Sequence, residues 1–264
     1  MLAKSASNSI KKALKWEEKR KNDLQAGLLS VVRESYQKQK DFLPDNNRGD
    51  FWDKRFKEQR EIFSEPFSFE SAMEEWRINK VLSKINYQQS ILNLGVGSGR
   101  LEARLLPKVM PDQYLGTDIT KETLKKLRHA FPTYHFKKTQ LEKLPLANAS
   151  FDQVLLLEVL EHIRPNKTFS VLVEINRVLK KHGTLFISVP VNEGLEKFLP
   201  VNPNAHQRLY SLPLLKFELT ESGFSTQKVY QASAFAKDFK IKHLINSLLK
   251  IRQPNNLLLI ARKK

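Results

Sequence analysis

From residue 90 onward, short apolar runs alternate with stretches whose apolar residues recur every three or four positions. The runs at 90–94, 113–117, 134–137, 153–158, 184–189, 226–231 and 256–261 predict strands, and 99–107, 120–130, 166–180, 211–222 and 236–250 predict helices. That alternation predicts an α/β fold, a doubly wound, mostly parallel seven-stranded sheet with helices on both faces. Upstream, 9–40 reads as a helix with Ile10, Leu14, Leu24, Leu28, Leu29, Val31 and Val32 roughly on one side. The stretch "LPDNNRGD" at 43–50 breaks it as a linker. A second helical region, 52–86, is studded with Phe51, Trp52, Phe56, Phe63, Phe67, Phe69 and Trp76, expected to be a packing face rather than a ligand cage. The expected organisation is a basic helical extension and linker at 1–50, lead-in helices capping the active site at 51–87, and a catalytic domain at 88–264.

Composition narrows the chemistry. Hydrophobic residues make up 41% of the 264, enough for a real core. The chain has no cysteine, which excludes disulfides, Cys-ligated zinc, iron–sulfur clusters and a Cys nucleophile; no metal site is expected. No apolar run is long enough to cross a membrane and no secretory signal is visible, so the expected location is the cytoplasm, with peripheral membrane contact in view.

The net charge is +17, and it is unevenly spread: residues 1–40 carry +6, 228–264 carry +8, and the long middle only +3. Basic ends of this kind attract anionic membranes, acidic partners or nucleic acid, or they merely keep the surface solvated. Near the second of them, 234–254 reads as an amphipathic helix. Phe235, Phe239, Leu244, Ile245, Leu248 and Leu249 form its apolar side, amid Lys237, Lys240, Lys242, Lys250 and Arg252. The plainer expectation packs it on the sheet edge with its basic face in water; the sharper one docks it on anionic lipid or an acidic partner.

The chemistry concentrates in "ILNLGVGSGR" at 91–100, where Gly95, Gly97 and Gly99 follow an apolar strand. No Gly-Lys-Ser/Thr follows, so this is not a phosphate-binding P-loop, and the spacing differs from the dinucleotide fingerprint. Asp118 ends the next strand, 23 residues past Gly95, where an acid can accept hydrogen bonds from ribose hydroxyls. Thr120 is expected to cap the following helix by itself, leaving Asp118 to the ligand. Further on, "LEKLPLANASFDQVLLLEVLEHI" at 141–163 runs from a loop through a strand into Glu158, Glu161 and His162.

With these segments, and with "INRVLKKHGTLFISVP" and "HQRLYSLPLLKFELTESGF", the chain from about residue 88 onward resembles the class I S-adenosylmethionine-dependent methyltransferases, in the branch of quinone-biosynthesis and other small-molecule enzymes. The resemblance implies that Gly95, Gly97 and Gly99 approach the methionine part of S-adenosyl-L-methionine. Asp118 would hold the ribose, Ile119 pack beside the adenine, Gln140 and Leu141 face the adenine ring, and Glu158 lie beneath the sulfonium. Two positions depart from the pattern: Asn93 stands where an acid usually helps hold the cofactor's ammonium, and Gln140 where an aspartate usually meets the adenine amino group. Candidate bases for a proton-losing acceptor are His206 and His162, ahead of Tyr210. No Asn/Asp-Pro-Pro-Tyr/Phe motif follows the fourth strand, which disfavours methylation of a planar amine. The expected acceptor is an oxygen, nitrogen or activated carbon of a small or lipid-like molecule. The alternatives are a nucleic-acid-directed methyltransferase or binder using the basic ends, with 51–77 stacking bases, and a non-catalytic scaffold of the same fold.

Overall fold

The computed structural model describes residues 47–62, 71–193, 204–233, 239–249 and 253–264. The expected helix at 9–40 and the aromatic residues Phe63, Phe67 and Phe69 lie outside these. Two lead-in helices come first, α1 (Gly49–Ile62) and α2 (Ala72–Leu82). Ser71 caps α2 by accepting from the Glu74 N–H at 3.1 Å, which fixes where that helix starts.

There follow β1 (Ile91–Leu94), the short α3 (Glu102–Leu105), β2 (Tyr114–Asp118), α4 (Lys121–Ala130), β3 (His135–Lys138), β4 (Phe151–Leu157) and α5 (Pro165–Val178). The chain continues with β5 (Leu179–Pro190), α6 (Leu212–Glu221), β6 (Phe224–Ala232), α7 (Phe239–Leu249) and β7 (Asn256–Lys263). The predicted strands all form. β5 begins earlier than expected because Leu179 already pairs with Phe151 before the register shifts and Thr184 meets Gln153. The helical region expected over 52–86 consists of these two helices, with residues outside the described set between them.

The seven strands order as β3-β2-β1-β4-β5-β7-β6, all parallel except β7. β7 runs antiparallel to both β5 and β6 and sits between them. All four residues of β1 are buried, as a strand covered on both faces requires. Alternate side chains feed two cores. Leu92, Leu94, Val154 and Leu156 pack with Leu172, Ile175, Leu215 and Leu219 of α5 and α6. Ile91, Leu155, Phe186 and Leu258 pack with Val81, Leu105, Leu124 and Leu127 on the other side.

The strand order reverses between β1 and β4, and in open sheets ligands sit beyond the strand ends at that point. Helix α1 lies across it: Asp53 Oδ1 accepts from the Glu122 N–H of α4 at 3.3 Å, and Phe56 is the nearest neighbour of the space above Gly97.

Candidate functional site

A cavity of about 490 Å3 opens at this switch point, a volume usual for small-ligand sites. The glycine turn forms its floor. Gly95, Gly97 and Gly99 have φ of 85°, 51° and 81°, the left-handed region that side chains avoid. Each has a different task. The N–H groups of Gly95 and Val96 both donate to the Thr117 carbonyl, at 2.9 and 3.0 Å, which ties the turn to the end of β2. A Cβ at Gly95 would stand 2.5 Å from Val159 Cγ2, so that glycine also makes room for the chain leaving β4. Gly97 faces the cavity, where a Cβ would have Phe56 Cζ at 3.7 Å as its nearest contact. Gly99 does not line the cavity; its carbonyl accepts from the Ala103 N–H and starts α3.

Asp118 lines the wall with a carboxylate that is already engaged. Oδ2 accepts from the Gly97 N–H at 3.0 Å, and Oδ1 from the Thr120 N–H and hydroxyl at 2.9 and 2.8 Å. The expectation of a free Asp118 beside a self-capping Thr120 is corrected: Thr120 makes no side-chain cap and spends its hydroxyl on Asp118. Burial pushes the Asp118 carboxyl above its ordinary value, against the lowering effect of these hydrogen bonds. Ile119, Gln140 and Leu141 line the same wall.

Asn93 is buried at the cavity's edge. Its Nδ2 donates to Glu102 Oε1 at 2.6 Å, while its Oδ1 has no hydrogen-bond partner. Glu102 lies behind it, fully buried, and also accepts from the Tyr114 hydroxyl at 2.5 Å. The carboxylate that the resemblance leads one to look for at 93 therefore stands nine residues later, and holds the Asn93 amide from behind. Burial raises the Glu102 carboxyl above its ordinary value, and the hydrogen bonds from Tyr114 and Asn93 oppose it. A carboxyl whose folded-state pKa is raised stabilises the fold below its unfolded pKa and loses that stability as pH climbs through the folded one. Glu102→Gln is therefore expected to flatten part of the decline in urea midpoint as pH rises above the ordinary glutamate range; an unchanged slope would show that Glu102 titrates no differently in the two states.

The far half of the cavity belongs to the segments after β4 and β5. Glu158 has φ 54°, a left-handed conformation held by its surroundings. Its Oε1 accepts from the Ser188 hydroxyl at 2.7 Å, Asn256 Nδ2 reaches both carboxylate oxygens at 3.2 and 3.1 Å, and Arg77 approaches Oε2 at 3.4 Å. Glu161 is buried with Oε2 unpartnered, and its carboxyl lies well above the usual range, from burial first and then the Glu158 charge.

His162 and His206 lie edge to face with centroids 4.9 Å apart. The carbonyl of Ala205 can only accept, so the His162 Nδ1 at 3.2 Å carries the proton. Burial lowers the His162 pKa to about 3, aided by His206, and the ring packs against Trp52 at 4.7 Å. His206 Nδ1 meets Glu193 Oε2 at 2.9 Å, a carboxylate that fixes the ring's tautomer and orientation. Glu161, His162 and His206 each bring one donor atom within 4.8 Å of the others, close enough to hold a proton or, with small rearrangement, a cation.

Trp52, Arg55, Phe56 and Arg77 also line the cavity. The expectation that the aromatic residues of the lead-in helices form only a packing face is corrected at Trp52 and Phe56. Tyr210 does not reach the cavity: it is buried, with its hydroxyl donating to Glu218 Oε2 at 3.0 Å. Arg208 is fully buried between Thr168 and Glu218 and anchors the segment that carries His206. Gln207 ties the same segment to the Glu161 carbonyl at 2.7 Å.

Comparison with known proteins bears on the domain and its fold. Residues 92–187 match the methyltransferase domain family. The chain is 29% identical over 138 residues, 52% of its length and 48% of the relative's, to a probable S-adenosylmethionine-dependent methyltransferase of Mycobacterium tuberculosis. A counterpart in Mycolicibacterium smegmatis is 28% identical over 141 residues, 53% of each chain. The chain thus spans about half the length of these curated relatives. Among solved structures, an S-adenosylmethionine-dependent methyltransferase from Mesorhizobium loti shares the fold with TM-score 0.57 and 17% identity, over 70% of this chain and 96% of that one. The cyclase SpnF shares it with TM-score 0.56 and 17% identity, over 72% and 80%.

The turn that needs left-handed glycines, the acid closing β2, the seven-stranded order with its antiparallel β7 and the methyltransferase domain matched over residues 92–187 together make this chain similar to the S-adenosylmethionine-dependent methyltransferases, whose fold it shares.

Proposed function

We propose that the protein transfers a methyl group from S-adenosylmethionine to an oxygen, nitrogen or activated carbon of a small or lipid-like acceptor. The observation that carries this reading is one continuous cavity with two chemically distinct halves. Gly95, Gly97, Asp118, Ile119, Gln140 and Leu141 line one, and Trp52, Arg77, Glu158, His162 and His206 the other. The residues of the first half fit the cofactor: the wall offers an unpartnered buried acceptor, Asn93 Oδ1, to an ammonium, and Gly97 leaves open the space that a side chain would fill.

When bound, S-adenosylmethionine supplies a methyl group already made electrophilic by its sulfonium charge. Asp118 would hold the ribose hydroxyls, and Asn93 Oδ1 would accept from the ammonium, its amide oriented by Glu102. Trp52 and Phe56 cover the site and exclude water, which strengthens every electrostatic contact inside. Holding acceptor and methyl group in line supplies about 7–11 kcal/mol of the barrier. His206 takes the acceptor's proton at Nε2 while Glu193 steadies the imidazolium, and neutral His162 positions it. The choice of His206 over His162 rests on that carboxylate partner and on the low pKa of His162, which makes it a poor base.

The test is calorimetric titration with S-adenosylmethionine and its demethylated product, followed by transfer of labelled methyl to a panel of phenols, amines and quinol-like acceptors. Failure to bind either compound would overturn the reading. Binding without transfer would favour a non-methylating use of the fold, for which SpnF, a cyclase by name, is the structural precedent.

A further inference from the structure

Helix α7 is mounted inside out. Its inward side is formed by Phe239, which stacks on His243 at 5.4 Å, by His243 against Trp76 at 5.7 Å, and by Asn246 Nδ2 donating to the Ser233 hydroxyl at 3.1 Å. These positions recur at i, i+4 and i+7, one face of a helix. The opposite stripe is Ile241, Leu244, Ile245 and Leu248, with Leu249 beside it. These five are 64, 61, 45, 74 and 65% exposed, and only two other large hydrophobic residues are so exposed among the described residues. The plainer expectation, an apolar side packed on the sheet with a basic face in water, is therefore corrected. A concentrated exposed apolar stripe of this kind marks an interaction surface.

Charge selects the occupant. Residues 228–264 carry +8 and the whole chain +17. A second copy would bring the same excess to the same face and be repelled, whereas an anionic bilayer offers the opposite charge over an apolar interior. An amphipathic helix with basic flanks lies in such an interface with its apolar face in the acyl boundary. Position agrees. The segment bearing α7 leaves β6 at Ala232 and returns at Asn256, both level with Pro190 at the carboxyl end of β5, the edge where the cavity opens. Asn256 also holds Glu158 in the cavity, and Trp76 under α7 belongs to α2, whose Glu74, Arg77 and Ile78 line it.

The geometry points to α7 as a docking helix for an anionic lipid surface, seated so that the cavity receives an acceptor partitioned in the membrane. The second half of this statement rests on the methyl-transfer reading; the first does not.

The experiment is flotation of the full chain with phosphatidylcholine vesicles, with and without phosphatidylglycerol, at low and physiological salt. The parent is expected to float with the anionic vesicles alone, more at low salt. The double variant Leu244→Gln, Leu248→Gln removes two leucines from the apolar phase and is expected to lower partition about a hundredfold. Both positions are exposed, so its melting temperature and its calorimetric affinity for S-adenosylmethionine should match the parent's. Equal negligible binding of the parent to both vesicles overturns the proposal, as does parent-like flotation of the variant. Dimerisation in sedimentation without flotation assigns the stripe to a second copy and overturns it too. Cofactor binding is measured without vesicles, so its loss would speak against the methyl-transfer reading alone.

Discussion

Asp118→Ala is expected to damage the protein twice, once as a fold and once as a binding site. In the cofactor-free state the substitution strips three hydrogen bonds from a buried carboxylate and leaves the Gly97 and Thr120 N–H groups without a partner. Orphaned buried donors cost about 1–3 kcal/mol each, so a loss of about 2–6 kcal/mol is expected in urea unfolding. The Gly97 N–H is part of the turn itself, so the cradle should loosen as well as lose its acid. Affinity for S-adenosylmethionine, measured by calorimetry below the melting transition, should fall about a hundredfold or more, since charged hydrogen bonds contribute about 1.5–3 kcal/mol each. Asp118→Asn is the control. It restores one acceptor and most of the shape, and should recover part of the stability but little of the affinity. Parent-like affinity in the alanine variant would show that the acid serves the turn alone.

The second large effect is expected at Arg208. This guanidinium and the Glu218 carboxylate form an ion pair with no exposure on either side, supported by Thr168 and Tyr210. Arg208→Ala leaves a fully buried carboxylate without its cation. Breaking a buried pair on one side costs about 3–5 kcal/mol, a large part of the stability of an ordinary domain. The same pair removed on both sides by shape-conserving apolar residues is often neutral, because two desolvated charges leave together. Arg208→Met with Glu218→Leu should therefore be far more stable than either single variant in guanidinium unfolding. If the double variant is as unstable as the singles, the pair has no such coupling. Where the double variant folds, methyl transfer should still suffer. Arg208 sits two residues from His206, and Gln207 and Ala205 between and beside them hold Glu161 and His162.

How much of this was legible beforehand depended on whether one local rule decided the outcome. The glycine turn was legible because three left-handed residues in five can hardly be built otherwise, and the strands because buried strands must be apolar on both faces. Trp52 and Phe56 were not: aromatic residues at helical spacing look alike whether they face a core or a cavity. The pairing of Asn93 with Glu102 crosses a strand, a turn and the start of a helix, so no periodicity announces it. The dyad of His206 with Glu193 lies within an irregular connection and has no pattern at all. For α7 the repeat did show an apolar stripe, yet a repeat has no sign; whether the stripe points inward or outward was decided by Trp76, from a distant part of the chain. Asp118 was read correctly in place and incorrectly in freedom, because its contact with Gly97 depends on the turn folding back over β2.

The place of β7 has a consequence for the order in which the molecule can be made. A ribosome delivers β5 and then β6, but these two strands never touch; each waits for the strand that follows them both. Until that strand threads between them, β5 presents a bare apolar edge, the kind of surface that recruits other nascent chains and the chaperones that guard against them. Asn256, which opens β7, is also the residue that steadies Glu158. Assembly and competence are thus coupled in time: an unfinished sheet lacks the finished pocket, and a chain stalled at that stage meets its quality control before it meets its ligand.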